Sequence, residues 1–393
     1  MRILFTIYSL EVGGAQTFMI RLANELAKNH TVFIYDHHPC RSESALKDQV
    51  DKRVKVISFN PRGVIDFLIW KINRLCKFFF IEYEFRARIK DEHYKFSVRC
   101  LKPDLISSHS FYSDCKAAFK TPNVPLVISM HGEYEMAEYN ADFLRKAFFA
   151  LRKSDSVIYV ADKNLKVFNY IPKVKTSRKK IYYGFSDTFG LPKKNHSLNI
   201  DPETFIFGMV ARGMKEKGWM HTIEAFELTK RMLPDHKLAL VLVSGTDEYI
   251  EAVEKECKTQ DDIYFTGFSP HPLEWIRLFD VALLPTYFAG ESLPNSIIEY
   301  LYAGKPVVAT AIGEIPNMIK ADGELAGFIV ELKSDGKPSP ADISAAMLQY
   351  LTYPDLLERQ RKIALKAFEK FDMKICLNAY EGVFRQVLKD NIK

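Results

Sequence analysis

Short apolar runs alternate along this chain with stretches whose apolar residues recur every three or four positions, and the alternation occurs in two series. Ile3–Tyr8, Thr31–Tyr35, Leu105–Ser108, Leu126–Met130 and Val157–Val160 are short apolar runs of strand type, and Ala15–Lys28 has helical spacing. The pattern restarts with Ile206–Val210, Leu238–Val243, Ile263–Thr266, Val281–Pro285 and Val307–Thr310, with a helix expected over Trp219–Met232. Strands that alternate with helices of ten or more residues build parallel sheets, and two such series predict an α/β protein of two doubly wound domains. A chain of 393 residues is too long for one ordinary core, which agrees. The expected domains are 1–195 and 196–373, with a seam in the polar stretch Gly190–Pro202. A last helix, at about 374–393 with its periodic centre over Asn378–Lys389, follows a break near Phe371–Met373 and is expected to pack back on the first domain.

The run F-A-G-E-S-L-P-N-S-I-I-E-Y-L-Y-A-G-K-P-V-V-A-T carries the most chemistry. Pro294 suits a first helical position, where a missing N–H costs nothing. Ile297, Ile298, Leu301 and Tyr302 supply an apolar face, and Gly304 with Pro306 supplies the stop. Glu291 then precedes the helix and Glu299 lies inside it, both at the open end of a parallel sheet, where ligands of such sheets bind. Carboxylates there point to a hydroxyl-rich ligand, since each accepts two hydroxyl hydrogen bonds.

Two turns occupy matching places after the first strand of each series. V-G-G-A-Q, with Gly13 and Gly14, opens the first helix, where glycine admits a close ligand and the helix N-terminus favours phosphate. It is not G-x-G-x-x-G, so the dinucleotide fingerprint is absent, and Asp36 at the end of the second strand is discounted as a ribose ligand. The alternative for the V-G-G-A-Q turn is a plain glycine turn. A-R-G-M-K-E-K-G-W sets Arg212 and Lys217 around a strand-to-helix turn, a suitable diphosphate site, against the alternative of a solvated basic loop. His131 ends the strand L-V-I-S-M and is placed to bond a sugar hydroxyl or move a proton; His109 reads as a satisfied loop residue. His37, His38 and Cys40 lack zinc-site spacing. No Asp-x-Asp occurs, so a metal bridging a diphosphate has no evident carboxylate anchor.

Charge is divided unevenly. The net charge is +6, yet residues 1–195 carry 33 Lys and Arg against 20 Asp and Glu, while the remainder carries 22 against 29. A basic half suits an anionic membrane face, a phosphorylated acceptor or nucleic acid, with nucleic acid supported by charge alone. Residues 61–100 interleave Phe67, Trp70, Phe78, Phe79, Phe80, Tyr83 and Phe85 with Lys and Arg. The favoured reading there is helices packed on the first sheet with their cations at the edges; interfacial membrane contact is the alternative. The six scattered cysteines form no C-x-x-C pair and point to reduced thiols in a cytoplasmic setting. The N-terminal apolar run, broken by Glu11, reads as a strand and not as a signal peptide.

Taken together these motifs resemble glycosyltransferase family 4, over essentially the whole chain. The most specific pieces are V-A-R-G-M-K-E-K-G-W-M-H-T-I-E-A-F, F-T-G-F near Phe265, and the Glu291–Glu299 element with A-G-K-P-V-V-A-T-A-I-G-E-I-P. The resemblance implies the GT-B architecture, two Rossmann-like domains facing a central cleft. It also implies that Arg212 and Lys217 hold a donor diphosphate, that Glu291 contacts the transferred sugar, and that Glu299 holds the nucleotide ribose. Backbone amides around Ser292, Leu293, Pro294 and Asn295 would touch sugar and diphosphate, Gly13 and Gly14 would approach the donor, and His131 would sit beside the reacting sugar. Three departures stand out. I-Y-Y-G-F-S has Tyr183 where the family has asparagine, A-T-A-I-G-E replaces A-T-D-x-G-G, and Asn317 stands where glutamate is frequent.

The implied activity is a retaining, metal-independent transfer of sugar from a UDP- or GDP-sugar, a co-substrate with no cofactor, to the hydroxyl of a carbohydrate or lipid-linked saccharide, as in bacterial surface polysaccharide, lipopolysaccharide or capsule assembly. A cytoplasmic protein, peripheral on the inner face of an anionic membrane and without a nucleic-acid partner, fits that role. A nucleotide-sugar epimerase of the same fold, or a non-catalytic partner of a transferase, are the alternatives. A nicotinamide dehydrogenase is disfavoured by the missing fingerprint.

Overall fold

The computed structural model describes residues 1–61, 67, 68, 70–72, 74, 75, 85–187, 198, 200–245, 247–257 and 261–392. The chain forms two compact units, Met1–Gly184 with Met373–Lys393, and Phe185–Asp372. The first crossing, at Gly184–Phe185, falls upstream of residue 195, and most of the polar seam Gly190–Pro202 lies outside the described residues.

The first unit is built on seven strands: β1 (Arg2–Ile7), β2 (Thr31–Asp36), β3 (Lys55–Ser58), β4 (Leu105–Ser108), β5 (Leu126–Met130), β6 (Ser156–Tyr159) and β7 (Ser177–Lys180). Their order is β3-β2-β1-β4-β5-β6-β7, and every neighbouring pair is parallel. Helices α1 (Gly14–Leu26), α2 (Phe85–Leu101), α3 (Phe111–Lys120) and α4 (Ala141–Lys153) lie between strands in the chain. The central strands carry consecutive apolar residues because both of their faces are covered: Leu4, Ile106, Ile128, Val157, Tyr94, Ala117, Ala147 and Leu151 form one buried cluster. Asn140 starts α4 by accepting from the Phe143 amide at 2.9 Å, satisfying one of the donors a helix start leaves open.

The second unit repeats the plan. Its strands are β8 (Phe205–Val210), β9 (Leu238–Val243), β10 (Ile263–Gly267), β11 (Val281–Leu284), β12 (Val307–Thr310) and β13 (Gly327–Val330), in the order β10-β9-β8-β11-β12-β13 and again all parallel. Its helices include α5 (Trp219–Met232), α6 (Glu248–Glu256), α7 (Asn295–Tyr302), α8 (Pro340–Thr352) and α9 (Pro354–Phe368). The long last helix α10 (Met373–Asn391) belongs to the first unit, where Tyr380 meets Phe18 of α1 at 5.9 Å. Gly184 is pressed against this helix, and a Cβ there would come within 2.7 Å of the Cys376 side chain.

In both sheets the strand order reverses beside the first strand, between β1 and β4 and between β8 and β11. Such reversals open a crevice past the carboxyl ends of the strands, the usual ligand site of doubly wound sheets.

Candidate functional site

In the second unit the loops after β8 and β11 are stitched together across the reversal. The Glu216 carbonyl accepts from the Tyr287 amide at 2.8 Å and from the Thr286 hydroxyl at 3.2 Å. Gly218, the N-cap of α5, has φ +88 and sits so close to β11 that a Cβ would lie 2.2 Å from the Pro285 carbonyl oxygen. Only glycine combines that backbone with that approach. The stitching carries Lys217 onto Glu291. The Lys217 ammonium pairs with Glu291 Oε2, each side chain is under a tenth exposed, and the ammonium also sits over the Phe288 ring at 5.1 Å. Thr286 Oγ1 lies 3.3 Å from the same carboxylate oxygen. Two opposite charges buried together can stay ionised where either alone would be strongly disfavoured.

Arg212 stands differently. Trp219, fully buried, donates its indole N–H to the Arg212 carbonyl at 3.0 Å, which fixes the backbone while the side chain remains exposed. The two expected cations are therefore not equivalent: Lys217 is already neutralised by Glu291, and Arg212 faces solvent.

Glu291, Ser292, Leu293 and Pro294 are all buried, and the turn that holds them is closed from β12. The Glu314 amide donates to the Ser292 carbonyl at 3.0 Å, and Gly313, at φ +57, would place a Cβ 2.2 Å from the Glu291 carbonyl oxygen. Pro294 is the N-cap and not the first helical residue. Its ψ of 125 is extended, so α7 begins at Asn295. Glu299, one turn inside, is 5% exposed, and its neighbour Tyr300 accepts from the Val210 amide at 2.7 Å, holding α7 against β8. Arg212, Lys217, Ser292–Asn295, Glu291 and Glu299 thus all belong to the two loops and the helix that follow β8 and β11.

The first unit has polar groups at its own reversal, but they are arranged as a neutral network. His109 follows β4 and His131 follows β5. His109 Nδ1 lies 2.9 Å from His131 Nε2, His131 Nδ1 lies 2.8 Å from the Tyr183 hydroxyl, and His109 Nε2 lies 2.9 Å from Ser107 Oγ. His109, read from sequence as a satisfied loop residue, is buried and is a direct partner of His131. One histidine gives no sign of that in sequence; two, at the ends of neighbouring parallel strands, do. Gly13 and Gly14 stand at the start of α1 directly after β1. Gly13 has φ −170, extended backbone open to any residue, and a Cβ there would meet only the end of the Gln16 side chain. The glycine at 13 is therefore not compelled by local backbone strain.

Asp36 accepts from Ser42 Oγ at 2.6 Å and from the His38 amide at 3.0 Å, internal partners that leave it a structural role. His37 Nε2 is bonded to Thr6 Oγ1 at 3.0 Å. Among the described residues no group of three or more His, Cys, Asp or Glu side chains is placed to hold a metal ion. The expectation of packed aromatics over 61–100 fails at two positions. Phe67 is 51% and Trp70 49% exposed, with Lys71 over the Phe67 ring and Arg74 over Trp70, since cations stacked on aromatic faces keep both in water. Phe78, Phe79, Phe80 and Tyr83 lie outside the described residues.

Known proteins divide the chain in the same two parts. Residues 12–167 match the family described as Glycosyltransferase Family 4, and residues 191–367 match Glycosyl transferases group 1. The poly(glycerol-phosphate) alpha-glucosyltransferase of Bacillus subtilis (strain 168) is 24% identical over 225 residues, covering 56% of this chain and 32% of that protein. The lipopolysaccharide core biosynthesis mannosyltransferase LpsB of Rhizobium meliloti (strain 1021) is 24% identical over 207 residues, covering 51% and 57%. The chain thus spans from about a third to under two thirds of the length of these curated relatives. Among solved structures, Anabaena HepE in complex with UDP and glucose superposes with a TM-score of 0.72 at 18% identity, covering 98% of this chain and 100% of that one. With both parts matched and the fold shared along nearly its whole length, the chain belongs to glycosyltransferase family 4 and has the GT-B fold.

Proposed function

We propose that this protein transfers a sugar from a UDP- or GDP-sugar to an acceptor hydroxyl, with retention at the anomeric carbon and without a metal. The observation that carries this reading is the meeting of Lys217 and Glu291 beside exposed Arg212 at the strand reversal of the second unit. In the reaction the bond from the anomeric carbon to the diphosphate oxygen breaks, and a bond to the acceptor oxygen forms on the same face. The acceptor proton passes to the departing diphosphate. Negative charge grows on that leaving group, and Arg212, with a fixed backbone and a free reach, is suited to meet it. Lys217 contributes cationic character from within, while its Glu291 partner accepts hydroxyls of the sugar with its remaining lone pairs. Glu299 grips the ribose. The roles of Gly13 and Gly14 toward the donor, and of His131 beside the reacting sugar, rest on the family resemblance.

Incubation with a panel of UDP- and GDP-sugars in the presence of EDTA tests the chemistry. Nucleoside diphosphate release that needs an acceptor, with an anomeric proton coupling in the product like that of the donor, is expected. Conversion of the donor alone would identify an epimerase instead. Inversion, or loss of activity in EDTA, would overturn the corresponding part of the reading.

The acceptor is proposed to be a saccharide carried at an anionic membrane, in surface polysaccharide or lipopolysaccharide assembly. Support comes from the basic first half, from exposed Phe67, Leu68, Trp70 and Leu75 interleaved with Lys71 and Arg74, and from the relatives. No described helix is long and apolar enough to cross a membrane, and the contact proposed is peripheral. Flotation with anionic vesicles but not neutral ones is expected; equal flotation with both would remove the electrostatic argument.

A further inference from the structure

Tyr183 stands where the family carries asparagine, and the structure gives it a partner. Its hydroxyl is the first member of a relay that runs through His131 and His109 to Ser107, with separations of 2.8, 2.9 and 2.9 Å. Both nitrogens of both rings are engaged. Ser107, His109 and Tyr183 are buried, and Phe18 stacks on Tyr183 with centroids 4.2 Å apart and planes at 18°. A neutral imidazole has one N–H, so two uncharged rings in series allow only two proton arrangements, running in opposite directions. A phenol hydroxyl is a stronger acid than a neutral imidazole N–H, and an imidazole nitrogen accepts better than a phenol oxygen. Both preferences select the arrangement that starts at Tyr183.

We propose that Tyr183 and His109 are positioning residues for His131. Tyr183 donates to His131 Nδ1, His131 Nε2–H donates to His109 Nδ1, and His109 Nε2–H donates to Ser107 Oγ, so that His131 has one tautomer and one ring orientation. Burial supports the neutral state of the rings, since it pushes the His131 pKa down to about 3 and that of His109 well below the ordinary value. The tautomer of a histidine is set by the bond its other nitrogen makes, and such partners matter to activity without touching substrate. The link from relay to catalysis rests on the reading that His131 serves sugar transfer.

Tyr183→Phe removes one oxygen and keeps the ring that Phe18 stacks on. Long-range proton–nitrogen correlation spectra of histidine-labelled protein report the tautomer without any substrate. Native His131 is expected as the Nε2–H form alone, and the Phe variant as a mixture of both forms, with unchanged circular dichroism. In transfer assays the variant should lose about tenfold in kcat, the low end of the cost of deleting a partner that orients a histidine, with donor KM within about twofold. An Nδ1–H form in the native protein, or a variant that keeps a single Nε2–H form, overturns the relay. A shifted tautomer with unchanged kcat overturns the positioning role. If the native protein transfers no sugar while the tautomer still responds, the functional reading falls and the relay stands.

Discussion

One strand order builds two unlike crevices in this chain. At the reversal of the second unit, charge is buried as an opposed pair, Lys217 with Glu291, and a further cation, Arg212, is left outside. At the reversal of the first unit the histidines are uncharged and sit in hydrogen-bonded groups: Ser107, His109, His131 and Tyr183 in one relay and Thr6 with His37, with Tyr134 donating to Asp114 nearby. The sheets do not decide this. Both supply parallel strands whose carboxyl ends diverge, and the difference lies in the loops that follow. A crevice that must neutralise a diphosphate needs fixed positive charge, and burying a cation requires a nearby anion. Hydrogen-bonded neutral groups have no such requirement and can be packed deeply without counter-charges. The fold sets where chemistry can sit, and loop residues set its sign.

The sharpest way to break this contrast is to remove one charge from the buried pair. Lys217→Met should strand the Glu291 carboxylate, and Glu291→Leu should strand the Lys217 ammonium, each costing about 3–5 kcal/mol in unfolding free energy. The double variant, with an apolar pair of similar volume, should recover most of that stability, because both buried charges go together. It should not recover sugar transfer. Denaturant titration and transfer assays on the three variants check this. Equal loss of stability in the double and the single variants would show that the pair is not what holds the loops, and recovered transfer would remove the pair from the reaction.

Arg212 and Glu299 sharpen the second crevice without collapsing it. Arg212→Ala removes an exposed side chain, so stability should change by under about 0.5 kcal/mol, while kcat/KM should fall by about a hundredfold, as when one preorganised donor to developing negative charge is lost. Glu299→Ala should raise donor KM strongly with a smaller change in kcat, as for a grip used equally in the ground and transition states. Unchanged kinetics in both variants would withdraw the donor site from this unit.

How much of this was legible before the structure depends on whether the cause is local. Leu105–Ser108, Leu126–Met130, Leu238–Val243 and Val307–Thr310 have the bounds expected of them, because strands buried on both faces carry apolar residues at consecutive positions, with only Ser107, Ser108, Ser129 and Thr310 as hydroxyl residues among them. β7, Ser-Arg-Lys-Lys, contains no apolar residue, and its strand exists only through pairing with β6 at the sheet edge. β13 opens on Gly327, where a Cβ would collide with the Val307 carbonyl oxygen, a demand made by the neighbouring strand. The same division runs through the sites. Glu291 and Glu299 were marked by an adjacent proline and a helical apolar face. The partnership of Glu291 with Lys217 spans 74 positions and appears only when two loops are stitched together. Tyr183 was visible as a departure from a family pattern, but its partner lies 52 positions away across the fold. Pro294 was placed one position too far into its helix, since sequence marks a helix start without fixing ψ.

The smallest effect tests the neutral side of the contrast. Asp114 of α3 is fully buried. Its Oδ2 accepts from the Tyr134 hydroxyl at 2.7 Å, and its Oδ1 has no partner among the described residues. Burial pushes its pKa up to about 8, against the lowering effect of Ser108 and Tyr134, so the acid is held protonated where an exposed one ionises. The sign follows from proton uptake. Between about pH 4 and 8 the unfolded chain has released this proton and the folded chain has not, so folding takes one up and stability falls as pH rises. The buried histidines oppose this, because the unfolded chain still holds part of their protons around pH 6.5 to 7.5 and the folded chain does not. Asp114's own share across pH 6.5 to 8 should therefore be a loss of no more than about 1.4 kcal/mol per pH unit, read as the difference between the native chain and a variant that keeps the histidines. Asp114→Asn keeps the shape and the histidines and cannot ionise, so its stability should rise relative to that of the native chain over that interval. Hydrogen exchange at β4 and β5, compared with β8 and β11, would locate the effect. A difference between native chain and variant that stays level across the interval would mean that Asp114 is ionised in the fold and that this crevice also buries charge.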